Sequence, residues 1–112
     1  MDLIGAHYRK NSFGPQFIDN FGVVYVSHLR AGVQIPQSVA EVAANGREIS
    51  KHYLAAGDVV FFCTTGVMCP CNCGISLGGK SVVMSPREGW DIRMMNLDYS
   101  WFGNIVCCRR YW

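Results

Sequence analysis

The chain has 112 residues, half of them hydrophobic, enough for one compact domain over residues 1–112 and too few for two. Ten Lys and Arg against eight Asp and Glu leave a net charge of +2, and the cations are scattered singly apart from Arg9-Lys10 and Arg109-Arg110, which excludes the basic stripe of a nucleic-acid binder. No apolar run approaches the roughly 20 residues that cross a bilayer, and the opening MDLIGAHYRK carries an acid at position 2 and no apolar export core, so a soluble product without membrane insertion or signal peptide is expected.

Residues 1–18 read as a short apolar turn followed by a Gly-Pro loop. Asp19 is a good helix N-cap, and Phe21, Val24, Tyr25, His28 and Leu29 then recur at the spacing of an amphipathic helix, although the run VVYV favours strands. Gly32 stops that helix. Ser38 opens a second short helix, VAEVAA, closed by Asn45-Gly46, and a polar connector REISKHY follows. Gly57-Asp58 reads as a turn into a strand Val59–Cys63, apolar on both faces as a central strand covered on each side must be. After a loop TTGVMCPCN, the segments CGISLGG and KSVVMSP form a hairpin with Gly78-Gly79 at its turn. DIRMMNL and NIVCCRRYW supply two more strands. The fold class predicted is α+β, with N-terminal helices packed on an antiparallel sheet of about five strands.

Six cysteines is a high count for this length: Cys63, Cys69, Cys71, Cys73 and the pair Cys107-Cys108. A secreted disulfide framework fits poorly with the missing export signal. Cys63, Cys69, Cys71 and Cys73 are conceivable metal ligands, but C-x-C-x-C is not the spacing of structural zinc sites. The remaining reading is free thiols that act as small hydrophobes. No cofactor is expected.

The order helix, LxxGDVVFF-like strand, GIxLG hairpin and arginine-rich last strand resembles the NlpC-type peptidoglycan endopeptidases, a papain-like family of cysteine peptidases. LIGAHYRKNSFGPQFIDNFG is similar to the family's opening "LIGxPYRxGGxGPxxFDCxG", in a form associated with bacteriophage tail proteins. AGVQIPQS resembles "AGxxLPRx", and NCGISLGGKSVVMSP resembles "HVGIYLGxGxxVHAP". In that family a cysteine at the first turn of a helix is the nucleophile, a histidine takes its proton and a third polar residue orients the histidine. By this resemblance the three positions hold Asn20, Asn72 and Met84, none of which supplies that chemistry. Tyr8, beside the family's active site, is retained, whereas Asn11-Ser12 replaces a pair of glycines.

The resemblance therefore implies a catalytically inactive structural or interaction subunit, vestigial at Asn20, Asn72 and Met84, within a phage tail tip, baseplate or hub. Its expected partners are other virion tail or hub proteins, its expected location the virion tail, or the bacterial cytoplasm during assembly. One alternative is a non-catalytic module that binds peptidoglycan or peptide through Tyr8, Asn20 and Asn72. Another is an active peptidase with a relocated pair, drawn from Cys71 or Cys73 and from His7, His28 or His52. Near the C-terminus, Tyr99, Trp101, Phe102, Tyr111 and Trp112 are either sheet-edge core or, with Arg109 and Arg110, an exposed anchor for a partner.

Overall fold

The computed structural model describes residues 7–8, 17–18, 20–63, 72–85, 91–99 and 104–112. Asp19, Asn11-Ser12, most of the MCPCNC loop, Trp101 and Phe102 lie outside the described residues, as do the side chains of His7, Tyr8, Cys63 and Tyr99. In chain order come the short strands β1 (His7–Tyr8) and β2 (Phe17–Ile18), the helices α1 (Asn20–Arg30) and α2 (Val39–Ala44), and the strands β3 (Arg47–Glu48), β4 (Ala56–Cys63), β5 (Asn72–Gly78), β6 (Ser81–Met84), β7 (Arg93–Asn96) and β8 (Asn104–Arg110). β1 and β2 pair in parallel, while the other six strands form one antiparallel sheet in the order β3-β8-β4-β5-β6-β7. The architecture is α+β, as the sequence predicts, with a sixth strand where about five were expected. The added strand is β3, two exposed polar residues inside the segment read as a connector, held at the edge by pairing with Arg109 and Arg110 of β8.

β4 is the central strand for the reason its sequence gives. Val59, Val60, Phe61 and Phe62 are all wholly buried. The alternation sends Val59 and Phe61 into a cluster with Phe21, Val23 and Val24 of α1, and Val60 and Phe62 into a second cluster with Leu54, Val82, Met84 and Cys108. Each such side chain contributes about 1.5–3 kcal/mol of burial, so an apolar run of this kind is stable only with both faces covered.

α1 forms despite its β-branched run because tertiary burial outweighs propensity. The buried face, Asn20, Phe21, Val23, Val24 and His28, is rotated from the expected stripe, so Val23 is in the core and Leu29 is 54% exposed. The helix ends in a Schellman motif: Val33 N–H donates to His28 O (2.8 Å), Gly32 N–H donates to Leu29 O (3.0 Å), and Gly32 takes the left-handed φ of +79°. α2 starts on Ser38, whose hydroxyl accepts from Glu41 N–H at 3.2 Å, and ends where the Asn45 amide donates to Glu41 O at 2.8 Å.

Two turn assignments need correction. Gly57-Asp58 is not a turn before β4 but a bulge within it, where the register shifts between Ala56 and Val59 and Asp58 N–H donates back to Ala55 O. The hairpin turn sits one residue later than expected, since Gly78 pairs with Ser81 and leaves Gly79-Lys80 as the loop. Within β5 a different glycine is constrained by space. A Cβ on Gly74 would lie 2.7 Å from Val82 Cγ2 and 3.1 Å from Val83 O. Gly74→Ala is expected to destabilise the fold by about 1–3 kcal/mol through overpacking between β5 and β6, measured as a lower urea midpoint with an unchanged m-value.

Candidate functional site

The start of α1, the start of β5 and the end of β6 converge on one buried carboxamide. Asn20, 2% exposed, donates through Nδ2 to Asn72 Oδ1 and to Ser85 O, both at 2.8 Å, while its Oδ1 accepts from Ser85 N–H at 2.6 Å. Ser85 N–H can only donate and Ser85 O can only accept, which fixes the orientation of the amide. Asn72 Oδ1 also accepts from Cys73 N–H at 2.9 Å. Two of the three positions singled out by the family resemblance are thus in direct contact across 52 residues of sequence. The third is not part of the network: Met84 is wholly buried among Leu54, Val60, Phe62, Val82 and Cys108, and the backbone of Ser85 closes the site.

Asn20 can use both its N–H groups and its carbonyl here, and its nitrogen lone pair is delocalised into the amide, so residue 20 holds no nucleophile. Tyr8 is tied to the approach to α1 through the β1–β2 pairing with Ile18. The other proposed binding residues sit at the far end of β4, where Val59 pairs with Arg109 while Phe62 pairs with Asn72. They turn back onto the fold. Arg109 Nε donates to Ala43 O (2.8 Å), and Arg110 makes a two-pronged ion pair with Asp58, Nε to Oδ1 at 2.6 Å and Nη2 to Oδ2 at 2.7 Å. Tyr111 Oη donates to Val42 O at 2.6 Å, which leaves Trp112 as the exposed residue of CRRYW, with the Arg110 guanidinium 4.6 Å from its ring centre.

The residues missed from sequence are Ser85 and Asp58. Ser85 acts through its backbone, which leaves no signature in residue type. Asp58 could have been found, because a carboxylate at the head of an apolar central strand needs a partner of opposite charge.

Of the thiols proposed as metal ligands, Cys73 faces the α1 side of the core, Cys63 contributes described backbone in β4, and Cys69 and Cys71 lie outside the described residues. Cys73 and Cys108 are buried and pack as small hydrophobes. Burial pushes the Cys108 thiol up to about 11, and Cys107 and Asp58 add to the rise. Burial also raises Cys107, against the opposing charge of Arg109. Among the histidines, His52 is exposed and His28 is buried on α1.

Two measurements check this arrangement. Asn20→Ala removes the bonds of this side chain to Asn72 Oδ1 and to the N–H and C=O of Ser85, and is expected to cost about 2–4 kcal/mol in chemical denaturation. The thiol of Cys108 has a folded-state value above its unfolded one, so its contribution to stability is complete below about pH 9 and is lost as pH rises toward 11. Unfolding midpoints for the protein should therefore fall across that window, by less in Cys108→Ala, and alkylation of Cys108 at pH 8 should require unfolding.

Comparison with known proteins now bears on this geometry. The profile of the NlpC/P60 family matches residues 5–110. A murein DD-endopeptidase of Escherichia coli, MepH, is 31% identical over 98% of this chain and 42% of its own length. A probable endopeptidase of Mycobacterium tuberculosis is 30% identical over 96% of this chain and 26% of its own length. The chain thus spans less than half of these relatives. Among solved structures, an NlpC/P60 family protein from Bacillus cereus superposes with a TM-score of 0.85 at 22% identity, covering 98% of this chain and 39% of that one. The NlpC/p60 domain of the peptidoglycan hydrolase SagA gives 0.79 at 21%, covering 96% of this chain and 89% of that one. The expectation of an inactive structural or interaction subunit of a phage tail is corrected by these relatives, which are named as endopeptidases and not as virion proteins. A match of this extent, together with the helix-on-sheet fold and the meeting of residues 20 and 72, places the chain in the NlpC/P60 family.

Proposed function

We propose that this chain is a peptidase-family domain that hydrolyses peptide bonds in bacterial peptidoglycan. The observation that carries the reading is the match of nearly the whole chain, 96–98%, to curated proteins named as endopeptidases, one of them a murein endopeptidase. The geometry adds a chemical constraint. Hydrolysis by this family's route needs a thiolate within reach of a base, and Asn20 and Asn72 provide neither.

The nucleophile is therefore a residue other than Asn20. Cys71 and Cys73 flank Asn72 in sequence. Cys73 is sealed in the core, where its thiol meets no substrate. Cys71 is the remaining thiol next to Asn72, and His7, adjacent in sequence to Tyr8, is the base that pairs with it in this reading. In the reaction the thiolate adds to a peptide carbonyl, the amine departs with the proton held by the base, and water then releases the acyl group.

Incubation of the purified chain with peptidoglycan, followed by mass spectrometry of the soluble fraction, tests the reading. Release of peptide fragments is expected from the unaltered chain and is expected to disappear with Cys71→Ser or iodoacetamide. If no fragments appear from a folded, reduced sample, the proposal is wrong. Release that survives Cys71→Ser but not Cys69→Ser moves the nucleophile without changing the activity.

A further inference from the structure

Away from the Asn20 site, at the C-terminal end of α1, lies a cavity of about 220 Å³ walled by Ser27, His28, Val33, Gly57, Ile75 and Trp112. Among the described residues, no charged side chain lines it. For comparison, a dry cavity of roughly 150 Å³ holds a benzene ring. Two of its walls carry an anomaly. Ser27 Oγ and His28 Nε2 are the buried side-chain polar atoms that lack a hydrogen-bond partner among the described residues.

The imidazole is oriented. His28 is 4% exposed, and its Nδ1 lies 2.8 Å from Val24 O, which can only accept. In the neutral ring the proton is therefore on Nδ1, and Nε2 is a bare acceptor. The ring of Tyr111 stands edge-on to it with centroids 6.3 Å apart, and Tyr111 is itself anchored by its bond to Val42 O, so the imidazole is held from both sides. Leaving an acceptor buried and unpaired is destabilising, and such exceptions in a folded protein call for a cause.

We infer that this cavity is a binding site for a small neutral molecule with a single-ring apolar body and one hydroxyl, of the size and chemistry of a phenol. One hydroxyl satisfies both orphans, donating to His28 Nε2 and accepting from the Ser27 hydroxyl. The ring lies against Val33, Ile75 and the Trp112 indole. With no charged side chain among the described lining residues, the cavity selects against ions, which would lose their hydration without a counter-charge in contact. Both orphan atoms are shut off from solvent in the empty cavity, so entry of the hydroxyl includes a displacement of the side chains that cover them. The site is independent of the peptidase reading, since it uses the opposite end of α1.

Phenol and toluene, which share the ring and differ in the hydroxyl, are the probes. Titration of the ¹⁵N-labelled chain, followed at the Trp112 indole N–H and the Val33 amide, is expected to show saturable binding of phenol about ten-fold tighter than toluene, the worth of one buried hydrogen bond. His28→Phe should bring the two probes to within about two-fold of each other. Should that variant fail to fold, Ala31→Trp at the exposed rim keeps the test open, because it closes the mouth of the cavity and should abolish the shifts from both probes. Equal affinities for phenol and toluene in the unaltered chain, no saturable shifts with phenol, or phenol shifts that persist in Ala31→Trp would each overturn the inference.

Discussion

Three pieces of chain far apart in sequence are joined by the side chain of Asn20. A primary carboxamide presents one acceptor and two donors in a plane, and here it faces the N–H and C=O of Ser85 as the backbone of a neighbouring strand would. The remaining N–H reaches Asn72 at the head of β5. The first residue of α1 is thereby fixed to both arms of the β5–β6 hairpin, and the apolar packing of Phe21, Val23 and Val24 against β4 and β5 follows from that placement. A thiol at the same position could satisfy neither backbone group of Ser85 so completely. Asn20 is thus a buried hydrogen-bond junction at the position where the family resemblance implies a reactive cysteine.

Much of this was legible in the sequence because local chemistry and global packing agree. GDVVFF could only be a strand covered on both faces, Gly32 could only end a helix, and Ser38 with Asn45-Gly46 bracketed α2. The errors share one cause, the interaction of segments that sequence spacing does not connect. β3 has two polar residues and no periodicity, and it is a strand because β8 offers Arg109 and Arg110 to pair with. Gly57-Asp58 looked like a turn, yet the bulge there lets Asp58 reach Arg110 on the adjacent strand while β4 continues. At the site, the proximity of residues 20 and 72 came from the family resemblance, whereas the contribution of Ser85 lay in its backbone and the withdrawal of Met84 into the second core cluster lay in the packing.

The functional expectation failed for a different reason. Three replaced positions speak about the chemistry of those positions, and from them a structural role in a virion was inferred for the whole chain. Family and relatives bear on a broader question, since the relatives are named as endopeptidases and one of them as a murein endopeptidase. Fold and activity are separable properties, and the activity lives in particular side chains. The two observations are compatible only if the hydrolytic group is not at residue 20, so the peptidase reading is specific about where the chemistry cannot be.

The two ends of α1 make the same point in physical terms. At the N-terminal end every polar atom of Asn20 that the fold buries is paired, and the result is a rigid junction. At the C-terminal end the backbone is equally well satisfied, through the Schellman bonds of Gly32 and Val33, yet the side chains of Ser27 and His28 keep orphan atoms beside a cavity. A helix eleven residues long can hold both conditions because its core-facing stripe, Val23 and Val24, is fixed by β4 regardless of what either end does. The side of α1 that is free to change chemistry is the one where polar groups are buried but unspent, and that is the end away from the family's active-site position.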